Sequence, residues 1–251
     1  MAKISRKSPA EIEAMAVGGR MLAQTLQTVA AQVKPGVTPA QLSKLAGETI
    51  DSLGGAPAFL GHEGFPAPIC ISINDEVVHG IPGTKPLIEG DIVGLDFGVR
   101  YQKLITDGAI TVPVGKVGAD AQRLLDGTRE ALAAGVAQAR PGNRVGDISA
   151  AIEKVLRRHQ LSIIEDLVGH GVGYDLWEEP HVPNVGRPHQ GARLEAGMTI
   201  AIEPMATLGG IRIGVDRDHW TIRTTDGSLA AQFEHTVAIT SDGARILTRV
   251  D

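Results

Sequence analysis

The chain has 251 residues, of which 43% are hydrophobic and 21% charged, with a formal net charge of −5. These values describe a globular protein with a substantial core, and a negative balance without a basic run or an aromatic-interleaved basic patch argues against a nucleic-acid binder. The single cysteine, Cys70, excludes an internal disulfide and a cysteine-based zinc site, and it fits a reducing compartment.

The leading segment Met1-Ala2-Lys3-Ile4-Ser5-Arg6-Lys7 carries charge and no apolar signal core, and no later run is long enough to span a membrane. A soluble, cytoplasmic protein is therefore expected. Ser8-Pro9-Ala10-Glu11 combines an N-cap serine, proline at the first helical position and a capping-box glutamate. Apolar residues at helical spacing, among them Ile12, Met15, Leu22, Leu26 and Val29, carry that helix to Val33, where Lys34-Pro35-Gly36 stops it. Thr38-Pro39-Ala40-Gln41 starts a second helix by the same device, ended by Gly54-Gly55. Strand-like runs follow at Ile69 to Ile73, Val77 to Gly80, Ile92 to Val99 and Ala109 to Val114.

The order then recurs, with a helical run from Asp120 to Ala139, a second from Asp147 to His159, and strands again. Lys34-Pro35-Gly36 returns 106 positions on as Arg140-Pro141-Gly142, and Leu87-x-x-Gly90 returns 107 positions on as Leu194-x-x-Gly197. Nearly equal offsets from different features indicate an internal duplication, with units at roughly 8–114 and 119–248 in one domain covering 1–251. The expected class is α+β: two pseudo-two-fold related αα-plus-sheet halves around a central antiparallel sheet.

Five residues stand out against this background: Asp96, Asp107, His170, Glu203 and Glu234. Most are flanked by residues that read as buried strand, such as Gly94-Leu95-Asp96-Phe97-Gly98 and Ile200-Ala201-Ile202-Glu203-Pro204. An ionised carboxylate in an apolar strand is costly to desolvate unless a cation neutralises it. No lysine or arginine shares those segments, so a pair of divalent ions is the expected counter-charge. Asp96 and Asp107 are suited to meet across a hairpin-like return near Arg100-Tyr101-Gln102, and Asp96 holds in the first unit the place that Glu203 holds in the second. His170 lies between glycines in Gly169-His170-Gly171-Val172-Gly173, and one nitrogen donor among carboxylates suits Mn, Fe, Co or Zn better than Mg or Ca. His79, at the end of an apolar strand, reads either as a hydrogen-bonded strand-end histidine or as a proton shuttle or substrate-orienting donor.

The segments Val78-His79-Gly80-Ile81-Pro82, Leu95-Asp96-Phe97-Gly98, Thr106-Asp107, Gly169 to Gly173, Gly197 to Pro204 and Ala231-Gln232-Phe233-Glu234-His235-Thr236-Val237 together resemble the type I methionine aminopeptidases. The resemblance covers nearly the whole chain. It implies the pita-bread fold and removal of the initiator methionine from nascent polypeptides whose second residue is small. It further implies two divalent metal ions held by Asp96, Asp107, His170, Glu203 and Glu234, with Asp107 and Glu234 bridging and Glu203 as general base. His79 would act in catalysis and substrate binding, and the methionine pocket would draw on Phe59, His62, Phe65, Cys70, Leu176 and Trp220. The partners implied are nascent N-termini, with transient ribosome association left open, no nucleic acid, no membrane, and a monomer expected.

One departure bears on mechanism. Leu176-Trp177-Glu178-Glu179-Pro180 stands where the family carries His-Glu-x-Pro, so Trp177 replaces a histidine that helps hold the substrate's peptide group. Indole donates one hydrogen bond and accepts none. Glu63 is a second difference near the pocket rim, and His181 is a candidate to compensate. The competing expectations are an Xaa-Pro peptidase of the same fold and a weakly active or non-enzymatic binding protein built on it.

Overall fold

The computed structural model describes residues 4–250; Met1, Ala2 and Lys3 of the charged leading segment, and Asp251, lie outside the described residues. The first pass of the chain runs through α1 (Pro9–Ala30) and α2 (Pro39–Leu53) into β1 (Ala56–Pro57), β2 (Cys70–Ile73), β3 (Glu76–Val78), β4 (Ile92–Tyr101) and β5 (Leu104–Pro113). The second pass runs through α3 (Ala119–Gln138) and α4 (Val145–Arg158) into β6 (Ser162–Ile163), β7 (Gly169–Gly171), β8 (Glu178–Val182), β9 (Thr199–Ile202) and β10 (Met205–Thr207). It ends with β11 (Ile213–Val215), β12 (Ile222–Thr224), β13 (Ala230–Gln232), β14 (His235–Thr240) and β15 (Gly243–Ile246).

The helix starts form as their sequences dictate. Ser8 accepts from the Glu11 N–H while the Glu11 carboxylate accepts from the Ser8 N–H, and Thr38 and Gln41 repeat the exchange. The first helix ends at Ala30, short of Val33, because the chain turns down toward Lys34-Pro35-Gly36 in two further turn residues. The run read as Ala109 to Val114 is the second part of the longer strand β5, which begins at Leu104 and so takes in Asp107.

The strand pairs are antiparallel throughout. On β4, Val93, Leu95, Phe97 and Val99 pack into one core with Leu22, Leu26 and Val29 of α1 and Leu42 and Ile50 of α2. Each such fully buried side chain is worth about 1.5–3 kcal/mol relative to exposure. The alternation of a strand then turns Gly94, Asp96 and Gly98 to the other face, away from the helices. In the second pass, Leu124 and Leu132 of α3 and Ile148 and Ile152 of α4 cover Ile200, Ile202, Val237 and Ile239 in the same manner.

The two passes join at several places, among them the β3–β12 pairing and the Ile105 N–H to the Gly173 carbonyl, and one of these stitches lies beside the carboxylates. The Ala109 N–H donates to the Glu234 carbonyl at 3.3 Å, and the Glu234 N–H donates to the Ala109 carbonyl at 2.8 Å. On one side of this pair, Thr236 Oγ1 accepts from the Asp107 N–H at 2.8 Å and donates to the Asp107 carbonyl at 2.7 Å. On the other, Thr111 Oγ1 donates to the Gln232 carbonyl and accepts from the Gln232 N–H, at 2.7 and 3.1 Å.

Thr236 is fully buried, so its hydroxyl cannot be replaced by water without repacking. Thr236→Val keeps the shape, strips both hydrogen bonds from Asp107 and is expected to lower the unfolding free energy by about 1–3 kcal/mol. Urea unfolding followed by circular dichroism checks this, and an unchanged midpoint would show that the stitch contributes nothing.

Candidate active site

Five groups from five segments converge at the stitch. In the β4–β5 hairpin, Gly98 pairs with Asp107 and Asp96 with Ala109, so Asp96 and Asp107 share one face, diagonally across the ladder. The hairpin turns at Gln102 and Lys103, both with positive φ (47° and 67°), the backbone of a two-residue primed turn. A Cβ at Gly98 would meet the Phe59 ring at 2.6 Å, and glycine there lets that ring lie against the carboxylate face.

Glu203, expected at the end of its strand, and Glu234, expected on a strand, both lie where the chain passes from one sheet to another. β9 and β14 belong to one sheet and β10 and β13 to another, and both chains cross between them in two-residue breaks, Glu203-Pro204 and Phe233-Glu234. The ladders on either side, His235 with Ile202 and Met205 with Gln232, hold the breaks opposite each other. A carboxylate at a sheet junction escapes the strict alternation of a strand and can point into the space between sheets.

His170, on β7, is oriented by its own neighbour: Nδ1 lies 2.8 Å from the Gly171 carbonyl, which fixes that nitrogen as donor and leaves Nε2 as acceptor. Nε2 faces Glu203 Oε1 at 3.5 Å and Asp107 Oδ2 at 4.0 Å. Burial lowers the His170 pKa to about 4, so the ring is neutral near pH 7 and these contacts are not ion pairs.

The carboxylates show the opposite pressure. Burial first, then the charges of Asp107 and Glu203, raises Asp96 well above the ordinary carboxylate range. Glu203 is raised by burial and by Asp107, and Glu234 by burial and by its three carboxylate neighbours. Burial pushes Asp107 up to about 7, against the pull of the Gly108 N–H.

The donor set fits divalent metal ions. Ligand atoms of Asp107, His170 and Glu234 lie within 4.8 Å of one another. Asp96 Oδ1 and Glu234 Oε1 are buried without a hydrogen-bond partner among the described residues. No lysine or arginine lines the cavity. Orphaned, mutually repelling oxygens beside a neutral imidazole nitrogen take up protons or a cation, and a divalent cation answers several of them at once.

The five expected metal ligands, His79, Trp177 and the six expected pocket residues all line one cavity of about 140 Å³. Phe59, Phe65, Cys70 and Leu176 are buried in one apolar cluster with Trp220 packed against it, and the Phe65 and Trp220 rings meet edge-on at 5.2 Å. The Cys70 thiol is pushed well up by burial and by the adjacent carboxylates, so it is a neutral wall. His79 is half-buried, its pKa lowered by burial, and is held at φ 59°, a left-handed conformation that a side chain adopts only when its surroundings impose it.

Trp177 stands at the mouth, 47% exposed, its ring edge-on to His62 at 5.0 Å. His181 does not join the cavity: it is exposed on β8 in an adjoining groove with Tyr174 and Glu178. Glu63 is exposed in the short turn His62–Gly64. Gln232 was not singled out from the sequence, yet its Nε2 donates to Glu203 Oε2 at 3.2 Å. Its signal was a long amide in an otherwise apolar run beside Glu234.

The family model of metallopeptidase family M24 matches residues 13–241. Methionine aminopeptidase 1 of Bacillus subtilis (strain 168) is 43% identical over 244 residues, spanning 97% of this chain and 98% of that protein. The crystal structure of a methionine aminopeptidase from Thermotoga maritima is 42% identical with a TM-score of 0.97, covering 99% of this chain and 100% of that one. A prolidase from Pyrococcus furiosus covers 98% of this chain and 66% of its own at a TM-score of 0.79 and 21% identity, a likeness of fold alone.

Carboxylates whose folded pKa is raised keep their full stability below the unfolded value and lose it as pH rises through the folded one. The carboxylates are therefore expected to make the metal-free protein less stable at pH 8 than at pH 5.5, a trend that the buried His170, its pKa lowered to about 4, opposes only below its ordinary value near 6.5. Glu234→Gln, which removes one of the crowded charges, is expected to raise the melting temperature at pH 8 in chelator and to lower it, relative to the unmutated protein, in saturating divalent metal. A change of the same sign in both conditions would contradict a charge cluster balanced by metal.

Proposed function

This chain belongs to metallopeptidase family M24, and on that premise we propose that it is a metal-dependent methionyl aminopeptidase, removing the N-terminal methionine from nascent polypeptides whose second residue is small. Its architecture is the α+β pita-bread fold. One observation carries the reading: an apolar pocket walled by Phe59, Phe65, Cys70, Leu176 and Trp220 opens directly onto the carboxylate–imidazole cluster. A side chain bound in that pocket places the adjoining amine and peptide bond among the charged groups. The Xaa-Pro alternative is not favoured, because the relatives matching over the full chain are methionine aminopeptidases and the prolidase shares only the fold. A non-enzymatic binding protein is not favoured for the same reason.

Asp96, Asp107, His170, Glu203 and Glu234 would hold two divalent ions; Mn, Fe, Co and Zn suit the set. When bound, the ions supply Lewis acidity at the scissile carbonyl and a counter-charge for the cluster. The remaining work belongs to the chain. The aromatic wall excludes water and takes an unbranched, polarisable side chain. Gln232 holds Glu203 Oε2, leaving Oε1 to take a proton from the attacking water and return it to the leaving amine. Half-buried His79 would hydrogen-bond the substrate backbone, whereas the Trp177 indole, with one N–H and no acceptor, would not supply the contact a histidine makes there. We further propose that residues 1–251 form one catalytic domain built from a pseudo-repeat, and that the chain acts as a monomer on nascent N-termini, with transient ribosome association an extension of that role. No helix among the described residues is long and apolar enough to cross a membrane.

Peptides beginning Met-Ala and Met-Gly are expected to be cleaved, Met-Lys not, and Leu-Ala far more slowly, with all activity lost in chelator. A peptide panel read by mass spectrometry checks this, and preferential cleavage of Xaa-Pro bonds would contradict it.

A missing transition-state donor costs about 10²–10³-fold at positions where charge develops. Turnover on Met-Ala peptides is accordingly expected to be low, and Trp177→His to raise kcat by more than it lowers KM. Full activity in the unmutated enzyme with no gain from the histidine would refute that role for position 177.

A further inference from the structure

The segment ahead of α1 is fastened to the loop that carries Leu176 and Trp177, and the fastening is buried charge. Lys7 Nζ lies 2.6 Å from Glu178 Oε2, with side-chain exposures of 0% and 10%. Ser5 Oγ donates to the same Glu178 oxygen and accepts from Lys7 Nζ, closing a three-membered set. The other Glu178 oxygen accepts from the backbone N–H groups of Tyr174 and Asp175, at 2.6 and 3.1 Å. One carboxylate thus folds the 174–178 loop on itself and ties it to the N-terminal segment.

Neighbouring contacts repeat the connection. Lys7 Nζ sits 4.8 Å from the Tyr174 ring centroid. The Tyr174 hydroxyl donates at 2.8 Å to Glu11, the capping-box residue of α1. The Lys7 N–H donates to the Gly197 carbonyl at 2.7 Å, so the lysine is anchored by backbone as well. Gly173 has φ 150°, and a Cβ there would lie 2.3 Å from Lys7 Cε; the lysine passes through space that another residue would fill.

A buried ion pair returns little net stability over an apolar pair of the same shape. What it adds is direction: one donor–acceptor geometry and one loop position. The loop so fixed presents Leu176, 3% exposed in the apolar pocket, and Trp177, edge-on to His62 at the mouth. We propose that Lys7 and Glu178 are positioning residues for substrate capture: their buried pair sets where Leu176 and Trp177 stand, and through them the fit of the substrate's first two residues. The proposal rests on the aminopeptidase reading for its kinetic consequence, and on geometry alone for its effect on the loop.

The chain has two tryptophans, so in a Trp220→Phe background the emission of Trp177 reports the loop without metal or substrate. Adding Lys7→Met is expected to increase acrylamide quenching of Trp177 and lower its anisotropy. In the metal-loaded enzyme with both tryptophans, Lys7→Met is expected to raise KM for Met-Ala-Ser by about tenfold, with kcat altered less than about threefold and metal content unchanged. If Lys7→Met does not fold, the double replacement Lys7→Met/Glu178→Gln, which leaves no unpaired buried charge, is read in the same way. Unchanged Trp177 emission overturns the proposal. So does changed emission with unchanged KM, or a loss confined to kcat and metal content. Failure of the unmutated enzyme to cleave the peptide would fall on the functional reading, while the fluorescence result would still decide the loop.

Discussion

The pairing of Ala109 with Glu234 holds the carboxylate cluster in register. It is a single exchange of two backbone hydrogen bonds between strands from different passes of the chain, flanked on either side by a buried threonine that makes two more. The β3–β12 pairing and the packing of Ile12, Met15 and Ala16 of α1 against Ala238 and Leu247 also join the passes, but of these only this stitch lies at the carboxylates. The stitch fixes one register, and a slip of one residue would turn the carboxylates to the wrong face. Asp96 and Asp107 come to the junction from a hairpin, Glu203 and Glu234 from breaks where chains change sheets, and His170 from a short strand between glycines.

Bringing these groups together carries an electrostatic cost that the polypeptide does not itself offset. The same burial that raises the carboxylates lowers the imidazole, and no cation among the lining residues answers them. The fold without metal is therefore a strained container, in which protons compete for sites that divalent ions suit better. The apolar wall beside it serves the same end from the other direction, since a dry pocket strengthens every charge interaction within it. Rigid strands hold the charged side, whereas the mouth is set by a loop whose position depends on Lys7 and Glu178.

Local chemistry made much of this legible in advance. Ser8-Pro9-Ala10-Glu11 and Thr38-Pro39-Ala40-Gln41 marked helix starts correctly because capping is decided within four residues. Acidic residues in apolar runs marked the site because desolvation is decided by immediate surroundings, and the matched motifs supplied the pocket. Features that depend on distant partners were not legible. The hairpin return near Gln102 was an exception, expected from the strand-like runs on either side although Gln102 and Lys103 take left-handed backbone without the usual glycine or asparagine. Glu203 and Glu234 read as strand because their flanks are strand, and only the sheet topology shows the breaks. Gln232 and the Lys7–Glu178 pair act on partners 29 and 171 residues away, a separation at which periodicity says nothing.

The central proposal is that these five side chains would hold divalent metal at the stitch. Crystals grown in saturating manganese, measured on both sides of the manganese absorption edge, test it directly. The expected result is two anomalous peaks enclosed by Asp96, Asp107, His170, Glu203 and Glu234. A cluster empty of anomalous density at saturation, or manganese bound only elsewhere on the protein, would contradict it.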